Sequence, residues 1–223
     1  MAFVVKENKG GEDFDPVPSG MHHAVCTSII DIGTQPAKGQ FPTKRKVMFT
    51  WELPQETIEV ERDGKRVPLP RVISARYKLS LHKKAALRAM LESWRGRPFT
   101  EEELAGFDLE RVLGANCFLN VVHKEVGDKT YANVASVNPL AKGMAKIEAV
   151  NPLISFFMNA FEDDQTIVFP YHMHKWIQKL VMNSEEYQSH GKPKREEDPN
   201  NPSGLAFPLD DSHPDLIEGE EPF

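Results

Sequence analysis

Four carboxylates, Glu52, Glu59, Glu61 and Asp63, lie close enough in sequence to suggest a metal-dependent nuclease, since two-metal sites need several acidic ligands. They are interleaved with Arg62, Lys65 and Arg66, and ordinary ion pairing accounts for them equally well. His172 and His174 are two residues apart, with no thiol or carboxylate at metal-ligand spacing; they read as a surface or core pair, and His22-His23 is weaker still. No Walker loop, Gly-x-Ser-x-Gly, His-Glu-x-x-His or Cys-x-x-Cys is present. The expectation is a non-enzyme with no cofactor and no metal site. The two cysteines, Cys26 and Cys117, sit in apolar runs and read as buried thiols.

The positive signal is a set of basic and aromatic residues. Single-stranded nucleic acid offers phosphates and bare base faces, so a binder needs cations for the first and flat rings for the second. Lys44, Arg45, Lys46, Arg76 and Lys78 supply cations, with Lys38 before them and Lys124 and Lys129 later. Phe41 and Tyr131 have polar neighbours and are the better stacking residues. Trp51, Phe49 and Tyr77 share apolar strand faces, where core packing competes with stacking; Trp51 and Tyr77 are kept as candidates. Arg95 and Arg97 flank Gly96 and extend the cationic track, although a helix C-terminus favours arginine without any ligand.

These residues need strands to position them. Met21 to Ile32 is an apolar-rich strand, and 33–43 a flexible loop. In 44–53, Val47, Phe49, Trp51 and Leu53 alternate with Lys46, Thr50 and Glu52, giving a half-buried strand that Pro54 ends. A hairpin turning at Asp63-Gly64 follows, read as an insertion over 57–70. Val72 to Leu81 is the next strand. From His82 to Trp94 the period becomes helical, with Leu87, Met90, Leu91 and Trp94 on one face and Gly96 as the stop. Thr100 and Glu103 have capping-box spacing. Strands at 115–125 and 130–137 turn at Gly127-Asp128. Three strands, a helix and two strands are the plan of an OB-fold, so the fold class expected is mainly β, a β-barrel with an intervening helix and a C-terminal helical extension. The division expected is an arm over 1–19, the OB domain over 20–187 including the 151–187 extension, and a disordered acidic tail over 188–223.

Charge follows the same division. The chain carries −6 overall, yet 196–223 holds nine carboxylates and no Lys or Arg, which leaves +3 for 1–195; 38–97 alone is +9. A basic body with an acidic tail points to nucleic acid and a competing tail. No apolar run approaches the roughly 20 residues that span a bilayer, and the first residues lack a signal peptide's apolar core, so a cytoplasmic protein is expected.

The ending Asp215-Leu216-Ile217-Glu218-Gly219-Glu220-Glu221-Pro222-Phe223 resembles the acidic tails of bacterial and bacteriophage single-stranded DNA-binding proteins, which often close on Pro-Phe or Phe. Phe118 to Lys124 and Tyr131 to Val134 also resemble barrel strands of the phage members. The resemblance implies a protein that coats single-stranded DNA in phage replication or recombination, in the host cytoplasm. It also implies that partner proteins are recruited through Asp215, Glu218, Glu220, Glu221, Pro222 and Phe223. The 57–70 hairpin and the 151–182 stretch depart from the bacterial pattern, so the homo-oligomeric state stays open. An RNA-binding OB module, a nuclease and a protein-binding barrel are the alternatives.

Overall fold

The computed structural model describes residues 15–36, 43–62, 65–158, 166–190 and 194–195. Its main sheet runs in the order β3-β2-β1-β4-β5, with β1 at Gly20–Gln35, β2 at Lys44–Arg62, β3 at Lys65–Lys78, β4 at Asn116–Val126 and β5 at Lys129–Asn138. Every pairing along this path is antiparallel, and β6 (Ile154–Phe156) joins β1 in parallel. The sheet is curled and open: the end strands β3 and β5 touch, and no ladder joins them among the described residues. Helix α1 (Ala86–Arg95) contacts both of them.

Two apolar clusters cover the two faces of the sheet. On the concave face Ala24, Cys26, Ile29, Val47, Phe49, Trp51, Leu53, Cys117 and Leu119 are fully buried. They pack against Leu87, Met90, Leu91 and Trp94, the helical face legible in the sequence. Both cysteines are free and buried there. On the convex side, Ile30, Ile32 and Met48 pack under Phe156, Phe169, Met173, Ile177, Val181 and Tyr187. These come from the C-terminal extension, which also contains β7 (Val168–Phe169), α3 (Lys175–Met182) and α4 (Glu185–His190). The apolar run of β1 is nearly continuous because both of its faces are covered. A register shift between Cys26 and Ser28 reverses the alternation, so Cys26 and Ile29 face inward while Ile30 and Ile32 face out.

The hairpin expected as an insertion is the outer half of one long β2–β3 ladder, running from Lys46 opposite Lys78 to Arg62 opposite Lys65. Pro54 does not end the strand. It sits in the register shift between Leu53 and Thr57, where the ladder is interrupted and a missing N–H costs no hydrogen bond. The turn residues Asp63 and Gly64 lie outside the described residues.

Helix α1 starts four residues later than its composition suggests. It stops at Gly96, whose φ of 67° lets its N–H turn back to the Glu92 and Ser93 carbonyls. Helix α2 (Glu101–Ala105) has both halves of its capping box. A 3-10 helix follows at Leu109–Val112. The end of the expected arm is fastened: the Val17 carbonyl accepts from His123 Nε2 at 2.8 Å, and the Pro18 carbonyl from His22 Nε2 at 2.7 Å. Past Tyr187, α4 continues to His190, and β8 (Lys194–Arg195) pairs in parallel with β7. Among the described residues no helix is long and apolar enough to cross a membrane.

Candidate nucleic-acid interface

Lys44, Arg45, Lys46 and Lys78 lie at the end of the β2–β3 ladder away from its turn, while Arg62, Lys65 and Arg66 lie at the turn end. Lys44 lies opposite Gln35, Arg45 opposite Thr34, and Lys46 opposite Lys78. Lys44 and Lys46 are half-buried and Lys78 is exposed. Lys46 and Lys78 place two like charges directly opposite one another. Lys83 and Lys84 follow β3 in the chain. Composition places them in the helix; they are exposed in the turn before α1. The sequence signal for this was the start of the helical apolar face at Leu87, not earlier.

Arg45 is engaged internally. Its Nη2 lies 2.5 Å from Asp31 Oδ2 and its Nε 3.3 Å from Oδ1, with Glu186 at 3.9 Å. The hydrogen bond it donates to Asp31, which is 1% exposed, raises the guanidinium pKa further. Arg45 therefore ties β1 and β2 to α4. Gly33 makes this approach possible: its φ is 67°, and an added Cβ would collide with Ser184 and Met158.

Arg76 stands opposite Met48 on the convex face, with its guanidinium carbon 5.8 Å from the Trp176 ring centre of α3. Thr50 and Ser74 pair with each other at 2.8 Å, both buried. The middle of the β2–β3 surface is thus covered by the chain's own extension. Trp51 is 0% exposed; its ring stacks on Phe49 at 5.7 Å and tilts against Trp94 at 6.1 Å. Tyr77 meets the edge of Phe49 at 5.9 Å, and burial pushes its phenol far above the ordinary value. Trp51 is thus wholly inside the concave core, while Tyr77 is half-buried at its edge.

Tyr131 is placed differently. It pairs with Lys124 and lies on the strand face opposite Ala132, which packs against the core. Lys124 and Lys129 are exposed, as is Val122. Register separates this hairpin from Lys44–Lys46. Val121 is opposite Gly20, the first residue of β1, while Lys44 is opposite Gln35, the last. The candidate residues thus form two groups at opposite ends of β1. Lys38 and Phe41, and Asp215, Glu218, Glu220, Glu221, Pro222 and Phe223, lie outside the described residues.

The other charged candidates have structural partners. Arg97 grips the Glu103 carboxylate with two bonds, at 2.7 and 3.0 Å, and Arg95 bonds the same group. Arg95 also lies over Phe99 and Phe107, at 4.4 and 5.1 Å. Arg97, the Thr100 amide and Arg95 hold the Glu103 carboxyl down at about 2. Glu52 is fully buried and accepts from the backbone amides of Val150 and Asn151 at 2.7 and 2.8 Å, and from the Asn151 side chain at 2.5 Å. It anchors the loop before β6. Glu59 pairs with Arg66 at 3.4 Å. Among the described residues no three His, Cys, Asp or Glu side chains come together as a metal site.

Searches of protein-family models, of curated proteins and of solved structures return no match to this chain.

Proposed function

We propose that this protein binds single-stranded DNA, with the phosphates running over the Lys44, Lys46 and Lys78 end of the β2–β3 pair. The observation that carries this reading is Lys46 directly opposite Lys78, two residues along β2 from Lys44. A strand order of β3-β2-β1-β4-β5, with α1 bridging the end strands, supports an OB-fold, whose binding surface centres on strands two and three. Because α3 and Trp176 cover the middle of that surface, the path lies toward its end. Tyr131, with Lys124 and Lys129, offers a second contact for a strand long enough to reach past β1. The acidic 196–223 segment competes for the same cations, and its last residues recruit replication or recombination proteins, as the resemblance implies.

The test is fluorescence anisotropy with labelled single-stranded DNA, duplex DNA and matched single-stranded RNA over a salt series. The reading expects tightest binding to single-stranded DNA, with a log–log salt slope of about −0.7 per phosphate contact. Equal affinity for duplex would reduce the protein to a cationic surface, and a preference for RNA would reassign the substrate.

A further inference from the structure

A cleft of about 450 Å³ opens beside the Arg45–Asp31 pair, within the range of about 300–1,000 Å³ common for ligand sites. Val47 and Leu109, both buried, form its floor. Phe107 and Phe157, partly buried, are its aromatic walls. Asp108 and Glu110, both exposed, stand at its mouth.

The charges in this cleft are opposite to those of the proposed DNA path. Its lining holds three carboxylates, Asp31, Asp108 and Glu110, against the single guanidinium of Arg45. Arg45 is already neutralised by Asp31 and Glu186. Asp108 and Glu110 have no cationic partner among the described residues; the Asp108 side chain accepts only the Glu110 amide, at 2.9 Å. A phosphate at this mouth would meet two uncompensated carboxylates. A guanidinium would meet two acceptors and an aromatic wall. Arg95 already sits over Phe107, whereas Phe157 has no ring or cation partner among the described residues.

We propose that this cleft receives an arginine side chain of a partner protein, with the guanidinium stacked on Phe157 and bonded to Asp108 and Glu110. Arginine fits better than lysine because its planar fork can stack and meet two carboxylates at once, while its stem covers Val47 and Leu109. The site adjoins the cationic end of β2–β3, since Arg45 and Leu79 line it, and differs from that end in the sign of its exposed charges.

The test uses the full chain and two short peptides, one with a glycine-flanked arginine and one with citrulline in its place, which keeps the shape and removes the charge. Binding is followed by backbone amide NMR. The arginine peptide should shift the amides of 107–110 saturably, and the citrulline peptide should bind roughly three- to tenfold more weakly. In Asp108→Asn with Glu110→Gln the difference between peptides should vanish, and the fold should hold because asparagine also caps the 3-10 helix. Phe157→Leu, which keeps apolar volume, should weaken the arginine peptide selectively. Equal affinity for the two peptides, or no effect of either variant, would overturn the proposal. So would a single-stranded oligonucleotide that shifts these amides in place of the arginine peptide, since the cleft would then be a base site.

Discussion

The Arg76 guanidinium carbon lies 5.8 Å from the centre of the Trp176 ring, which places a side chain from α3 over the convex face of β3. An arginine that looks like a DNA contact in the sequence is therefore part of the packing between the sheet and the C-terminal extension. Arg76→Ala should lower the melting temperature by roughly 2–4 °C, the effect of losing about 1 kcal/mol in a domain of this size. Single-stranded DNA affinity should stay within about twofold of wild type in anisotropy. A large loss of affinity with an unchanged melt would return Arg76 to the DNA path.

Lys44→Ala with Lys46→Ala tests the proposed DNA path. Affinity should fall for all sequences alike, and the salt slope should flatten by about 0.7 for each phosphate that is no longer neutralised. An unchanged slope would move the path away from the start of β2.

Tyr131→Ala and Trp51→Ala separate stacking from packing. Tyr131 faces away from the core, so its loss should spare the melt and cost roughly 1–3 kcal/mol of single-strand binding. Trp51 is 0% exposed, and its truncation should cost about 3–5 kcal/mol of stability, read in a denaturant melt.

Glu103 joins α2 to the end of α1 through Arg97 and Arg95. Its carboxyl is lowered from 4.5 to about 2, first by Arg97, then by the Thr100 amide and Arg95. A depressed carboxylate stabilises the fold above its unfolded pKa, and that contribution is lost as pH falls toward the folded value. Wild type should thus lose stability between about pH 4.5 and 2 more steeply than Glu103→Gln, compared in melts across that window. Parallel acid limbs would show that the clamp contributes nothing.

Deleting 196–223 removes nine carboxylates and leaves a body of +3. Single-strand affinity should rise, most at low salt, where attraction between tail and cations is least screened. Removing Phe223 alone keeps the charges, so DNA binding should hold while capture of replication proteins falls by tenfold or more, for an anchor worth ~2 kcal/mol. Equal capture by both forms would separate the tail's ending from any recruiting role.

The strands at Val47–Leu53 and Ile73–Tyr77, the α1 face from Leu87 to Trp94 and the Thr100–Glu103 cap were legible in the sequence. Each is a local pattern: a period of two, a period near 3.6, or a side chain bonding three residues away. Lys44, Lys46 and Lys78 were legible as cations of neighbouring strands, but the register that sets Lys46 opposite Lys78 was not, because the 57–70 hairpin read as a separate insertion.

What the tertiary structure decided lay beyond that range. The register shift after Cys26 exchanged the faces of β1, and the shift around Pro54 carried β2 on to Arg62. Partners far along the chain determined which cations the fold itself engages. Arg45 went to Asp31 and Glu186, Arg76 to Trp176, and Arg95 and Arg97 to Glu103. Composition counts such residues alike because it records charge, while engagement depends on the carboxylate or ring the folded chain brings beside each one. Burial placed Trp51 in the same way: an aromatic on a strand fits a core or a base equally well until the opposite layer, here α1 with Trp94, is packed against it.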